Sequence, residues 1–425
     1  MILIKGGRVI DPISNKDEVL DVVIDKTKIK YIGKFQESED YEQIIHAKGL
    51  VVAPGLVDVH VHFRDPGFPE KEDIISGAKA AAKGGFTSVV MLANTKPVID
   101  CEDVLDEVIT KCKQACIHVY PNASITKAMK GKELTDFKQL KKKGAVGFSD
   151  DGKPLLDANL VYEAMKLAKE LNVPLSLHEE DPAFVSTAGI HEGEIAKGLG
   201  LKGASSLGED VMVARDVMIA KASQAHINIQ HISSKNAIEC IRLAKKMGAK
   251  ISCEATPHHF SLTQAAVLKY GTLAKMNPPL RTSEDQYAIV SALKDGTIDI
   301  IASDHAPHTD AEKALPFEQA PSGIIGLETS LSLGITNLVR KGILTLSDYL
   351  AKMTCNPSSL YQLDAGCLKE GGPADLVIFD ERAQVTYDHF ISKSNNSPFL
   401  NETLYGKVMM SISDGKIVYV DEELK

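Results

Sequence analysis

The chain has 425 residues, 44% hydrophobic and 25% charged, with a formal net charge of -9 at neutral pH. That is the composition of a folded globular protein, and no apolar run approaches the roughly 18 residues needed to span a bilayer. No dense basic cluster breaks the negative balance, since the lysines at 141–143 read as a solvated helix end, so neither nucleic acid nor membrane is an expected partner.

Taken from the start, Met1-Ile2-Leu3-Ile4-Lys5-Gly6 reads as a strand rather than an export signal, and the expected location is the cytoplasm. Residues 1–53 and 366–425 share short β-like pieces broken by turns such as Gly6-Gly7 and Ser413-Asp414-Gly415. The simplest construction is one small β domain assembled from both chain ends. Between them, in residues 54–365, strand-like runs occur at 56–62, 87–94, 117–125, 145–150, 174–179, 227–233, 251–256 and 298–305. Amphipathic stretches fill the intervals, for example 157–171 with Leu160, Val161, Ala164, Met165, Leu167 and Ala168 at helical spacing. Repeated βα units make parallel sheets, and eight of them suggest closure. The expected fold class is therefore α/β, a TIM-type (β/α)8 barrel carrying the small β domain. Seven cysteines form no C-x-x-C pair and read as reduced thiols. Cys112 and Cys116 share a helical face if their helix persists, but no further ligands at zinc-site spacing accompany them.

The strongest chemical feature is His60-x-His62 at the end of the first barrel run, because residues two apart on a strand project to the same side. In such barrels catalytic groups gather at the C-terminal ends of strands. His178, His231 and Asp304 close three further runs in the same location. Any one of them alone is unremarkable. Together they would bury several polar groups at a cost of several kcal/mol unless a metal centre draws them together. On the fourth run, Asp150-Asp151-Gly152 can be an ordinary turn; beside four histidines it can instead supply a carboxylate that bridges two cations, with Asp151 preferred.

The strings Asp58-Val59-His60-Val61-His62-Phe63-Arg64-Asp65-Pro66-Gly67, Ala93-Asn94-Thr95, Met276-Asn277-Pro278-Pro279-Leu280-Arg281, Ser303-Asp304-His305-Ala306-Pro307-His308 and Gly326-Leu327-Glu328-Thr329 resemble the long bacterial dihydroorotases. The similarity spans essentially the whole chain, including Gly371-Gly372-Pro373-Ala374-Asp375-Leu376. It implies two Zn2+ per chain, one on His60, His62 and Asp304, the other on His178 and His231, bridged by Asp151. It also implies that Asp304 is the catalytic proton carrier and that His62 and Arg64 meet the substrate, dihydroorotate or N-carbamoyl-L-aspartate. Arg64 offers a planar fork suited to the substrate carboxylate. By the same resemblance Asn94 and His308 share that task, and Asn277 with the backbone of Ser322 and Gly323 holds the ring amides.

Ser322 departs from the Phe of many relatives, which leaves the ring contact there open. Allantoinases and dihydropyrimidinases are the nearest rival activities, opposed by Arg64 because their substrates lack the carboxylate. A metal-free scaffold is the rival of another class, opposed by the filled ligand positions. No lysine ends the fourth run, so a carboxylated lysine bridge is not expected, and Lys153 lies past the glycine. His258 and His259 are read as supports of the barrel mouth, and His305 as a residue able to orient a ligand. The loop 306–322 reads equally as a lid or as a static loop, and a homodimer is left open.

Overall fold

A computed structural model describes residues 1–34 and 41–424. Five strands come first: β1 (Ile2–Asp11), β2 (Lys16–Asp25), β3 (Lys28–Gly33), β4 (Gln43–His46) and β5 (Val51–Pro54). Eight more follow. They are β6 (Leu56–Val61), β7 (Phe86–Met91), β8 (His118–Pro121), β9 (Phe148–Ser149), β10 (Leu175–Leu177), β11 (His226–Ile229), β12 (Lys250–Ala255) and β13 (Ile300–Ile301). The chain closes with β14 (Leu376–Thr386), β15 (Thr403–Ser413) and β16 (Lys416–Val420).

The first and last groups share one eight-stranded sheet in the order β16-β15-β14-β5-β1-β2-β3, with β4 beside β1. The chain ends meet where β14 runs antiparallel to β5, from Leu376 opposite Pro54 to Phe379 opposite Val51. Burial of Ile4, Val9, Val22, Ile24, Val52, Ile378 and Ile412 in a common cluster explains why segments so distant in sequence pair.

The middle eight strands run parallel in two arcs, β6-β7-β8 and β9 through β13 in sequence order. Parallel bridges between Ala123 and Phe148 and between Val61 and His305 join the arcs at both seams and close the barrel. Each run read from the sequence overlaps one of these strands, but the regular ladders are shorter. Their C-terminal ends leave the sheet to enter the barrel mouth; His231 and Asp304 sit there at φ +32° and +47°, where non-glycine residues are rare. The helix expected at 157–171 spans Ala158–Leu171; Asp157 caps it by accepting from the N–H groups of Asn159 and Leu160, and it buries Val161, Ala164, Met165 and Ala168. Cys112 and Cys116 do not share a helix, because Glu102–Cys112 ends at the first of them as the chain turns back into β8. Among the described residues no helix is long and apolar enough to cross a membrane.

Candidate metal and substrate site

Six side chains from five strand ends converge in the barrel mouth. His60 Nε2 lies 3.5 Å from Asp151 Oδ1, and His62 Nε2 lies 3.3 Å from Asp151 Oδ2. From the other side, His178 Nδ1 and His231 Nε2 approach Asp151 Oδ1 at 3.5 and 3.4 Å and stand 2.9 Å from each other. Asp304 Oδ1 is 3.0 Å from His62 Nε2 and 3.4 Å from His60 Nε2. Two donor triads result, His60 with His62 and Asp151, and Asp151 with His178 and His231, and Asp151 belongs to both. Such spacings suit atoms that share a cation about 2.0–2.2 Å from each. His60 Nε2 and Asp151 Oδ1 are buried and make no hydrogen bond, as expected of lone pairs reserved for a metal.

The electrostatics agree. Burial opposes charge on His60, yet Asp151, Asp304 and Glu254 outweigh it and raise its pKa well above the ordinary histidine value. Burial would likewise raise Asp151, but His60, His178 and His231 pull it well below the carboxylate range. Asp304 is lowered too, against burial, chiefly by the charges and bonds of His60 and His62. The cluster therefore keeps its carboxylates ionised and ready to ligate.

Neighbouring polar groups aim these donors. Glu254 Oε2 lies 2.9 Å from His60 Nδ1, and Asn94 Oδ1 lies 3.0 Å from His62 Nδ1. Each acceptor fixes a ring proton on Nδ1, so Nε2, which faces the carboxylates, is the atom that would ligate a metal on giving up its proton. Asp58 accepts from the backbone N–H groups of His60 and Ser303 at 2.9 and 3.0 Å, tying the first barrel strand to the segment that bears Asp304. Asp150 turns away from the centre and accepts from the N–H groups of Ile125 and Thr126 at 2.7 and 3.1 Å. The choice between adjacent carboxylates is thus made by a loop that needs one of them. His305 does not orient a ligand as expected. Its Nδ1 accepts from the N–H of Gly326 and its Nε2 faces Glu72, while its carbonyl accepts from the N–H of His62. His259 bridges Thr256 and the carbonyl of Pro278, supporting the turn that carries Asn277.

His62, Arg64, Asn94, Asp151, His178, His231, Asn277, Asp304, His308, Ser322 and Gly323 line one cavity of about 200 Å³, and His60 lies buried beneath it. A cleft of about 730 Å³ beside Cys116 and His118 is larger, so chemistry rather than size marks the site. Arg64 adopts φ +59°, donates to the carbonyl of Pro307 at 3.2 Å and has His308 Nε2 at 3.3 Å from Nη2. Among the described residues no carboxylate forms an ion pair with it, and loss of water lowers its pKa only to about 10, so it stays cationic. Burial, with Arg64, Lys71 and Lys313 close by, pushes His308 down to about 2, so the imidazole is neutral. Ser322 Oγ donates to Asn277 Oδ1 at 3.2 Å, which shows what the unexpected serine does: it steadies the asparagine.

The loop 306–322 is held from within. The buried Lys313 ammonium donates to the carbonyls of Lys275, Pro321 and Gly323, and Lys275 donates to that of Ala320 at 2.7 Å. Neither lysine, nor Glu254, stands out in the sequence. The one available signal was a charge inside an otherwise apolar stretch, as in Ile251-Ser252-Cys253-Glu254-Ala255.

A closed βα barrel with a shared-carboxylate His/Asp centre at its C-terminal mouth and a sheet beside it defines the class of metal-dependent amidohydrolases. Solved structures of that architecture match nearly the whole chain. L-hydantoinase from Arthrobacter aurescens superposes with a TM-score of 0.86 at 22% identity, covering 98% of this chain and 95% of that one. Dihydropyrimidinase from Brevibacillus agri does so at 0.85 and 22%, covering 99% and 95%. Sequence is more specific: a family model described as dihydro-orotase-like matches residues 49–237. Dihydroorotase of Clostridioides difficile is 58% identical over 99% of this chain and 100% of its own length, and that of Clostridium acetobutylicum is 53% identical over 99% and 100%. The chain belongs to the dihydroorotase family.

Proposed function

We propose that this protein catalyses the reversible hydrolysis of the ring amide of (S)-dihydroorotate to N-carbamoyl-L-aspartate, in the cytoplasm, as a step of pyrimidine biosynthesis. The observation that carries the reading is Arg64, a cation without a carboxylate partner that lines the same cavity as the His/Asp centre. Asp304, Asp151 and Glu312 favour its charge only from a distance, whereas a ring carboxylate would pair with it directly.

In this reading His60, His62 and Asp304 would hold one Zn2+, His178 and His231 would hold a second, and Asp151 would serve both. Mixed nitrogen and oxygen donors suit zinc. Bound zinc would supply Lewis acidity toward the ring carbonyl and a lowered pKa for water. The residues do the rest. Asp304, ionised and 3.0 Å from His62, takes the proton of the attacking water and returns it to the ring nitrogen. Arg64, with Asn94 and neutral His308, orients the carboxylate, while Asn277 and the Ser322–Gly323 backbone hold the ring amide. Removing Asp304 removes a ligand and the proton carrier together. Asp304→Asn should abolish cyclisation of N-carbamoyl-L-aspartate while wild-type protein turns it over and carries two zinc ions by elemental analysis. A variant retaining a tenth of wild-type kcat would overturn the assignment.

A further inference from the structure

The substrate end of the cavity is built by two stretches that approach each other unusually closely, one carrying Ala306 and His308, the other Gly323. Gly323 has φ +144°, and a Cβ there would lie 2.8 Å from the carbonyl oxygen of Ala306 and 2.9 Å from Cδ2 of His308. The Ala306 N–H donates to the carbonyl of Ile324 at 2.8 Å and joins the two stretches on one side. A side chain from outside the barrel clasps them as well.

Between β14 and β15 the chain leaves the terminal sheet and runs to the barrel mouth. Glu328 accepts from the N–H groups of Ile391 and Ser392 at 2.8 and 3.1 Å, Glu72 accepts from the Ser392 hydroxyl, and Ser394 Oγ donates to the Lys71 carbonyl at 2.8 Å. So anchored, the excursion delivers Asn396, which is fully buried. Its Oδ1 accepts from the N–H of His308 at 3.0 Å, and its Nδ2 donates to the carbonyls of Ala306 and Gly323 at 3.0 and 3.1 Å. All three contacts match the donor and acceptor pattern of one carboxamide orientation, and the opposite flip would set NH2 against N–H.

We propose that Asn396 is a positioning residue for substrate recognition: from outside the barrel, its carboxamide holds the His308 and Gly323 walls at the separation that fits the ring and its carboxylate. This rests on the reading of those walls as substrate contacts. Asn396 touches no donor of the metal centre, so its loss acts on recognition rather than on metal binding.

Asn396→Asp keeps the acceptor for His308 and loses both donors; Asn396→Ala loses all three bonds. For both variants, metal-replete protein should show the wild-type zinc content, a KM for dihydroorotate raised about tenfold or more, and kcat changed much less. Preference for dihydroorotate over dihydrouracil should narrow, since the carboxylate end is what loosens. Amide hydrogen exchange provides an arm independent of substrate: residues 306–323 should exchange faster in both variants while the barrel helices stay as in wild type. An inactive wild type would overturn the functional reading, and exchange would still decide the clasp. Wild-type KM in Asn396→Asp together with unchanged exchange at 306–323 overturns the positioning role. So does failure of both variants to accumulate as folded, zinc-bearing protein, which would make Asn396 a general scaffold.

Discussion

His60 and Glu254 form a fully buried pair, with Nδ1 and Oε2 2.9 Å apart on the first and seventh strands of the barrel. The carboxylate fixes the imidazole tautomer that presents Nε2 to Asp151 and Asp304. Because Glu254 also accepts from Asn228 Nδ2 at 2.5 Å, the pair cannot relax without disturbing a second strand. Glu254→Ala should weaken metal retention about 10- to 100-fold, measured by competition against a chelator. Unchanged retention would mean the ring is held by packing alone.

Arg64→Lys replaces a planar fork by a point charge at the carboxylate end of the cavity. We expect kcat/KM for dihydroorotate to fall by about two orders of magnitude, with zinc content unchanged. Loss of zinc would instead assign Arg64 to the metal shell.

The residue common to the two donor triads, Asp151, is an encoded carboxylate, and Lys153 lies beyond Gly152. Reconstitution of metal-free protein with zinc should therefore proceed equally with bicarbonate present or excluded. Asp151→Ala should lose metal, and Lys153→Ala should remain active. A strict bicarbonate requirement contradicts the bridge.

His118 starts the third barrel strand and meets Asp375, the residue before β14 of the terminal sheet, Nε2 to Oδ2 3.2 Å. The bond to Asp375 raises the histidine pKa, outweighing burial, with Asp375 and Asp414 adding charge. A raised folded-state value means the stabilisation is complete below the unfolded histidine pKa of about 6.5 and is lost as pH rises through the higher folded value. His118→Gln should therefore cost more stability at pH 5.5 than at pH 9, by denaturant unfolding of matched samples. An equal cost at both pH values would show a packing role only.

What could be read in advance follows a physical division. His60 and His62 were visible because a strand repeats every two residues, and His178, His231 and Asp304 because each closes an apolar run. The lengths of those runs misled at their C-terminal ends, where the left-handed turns at His231 and Asp304 break the ladder to bring a side chain inward. Lys313 and Asn396 carry no local signature and Glu254 only a charge within an apolar run, since each acts on residues outside its own element. Their chemistry exists only once the barrel has closed.

The most direct test is substrate discrimination by the zinc-loaded wild-type protein, with dihydroorotate, allantoin and dihydrouracil assayed side by side for ring opening. The Arg64 cation and the neutral His308 beside it predict that only dihydroorotate reacts. Turnover of dihydrouracil or allantoin at a comparable kcat/KM would show that the cavity does not select a ring carboxylate, and would contradict the central claim.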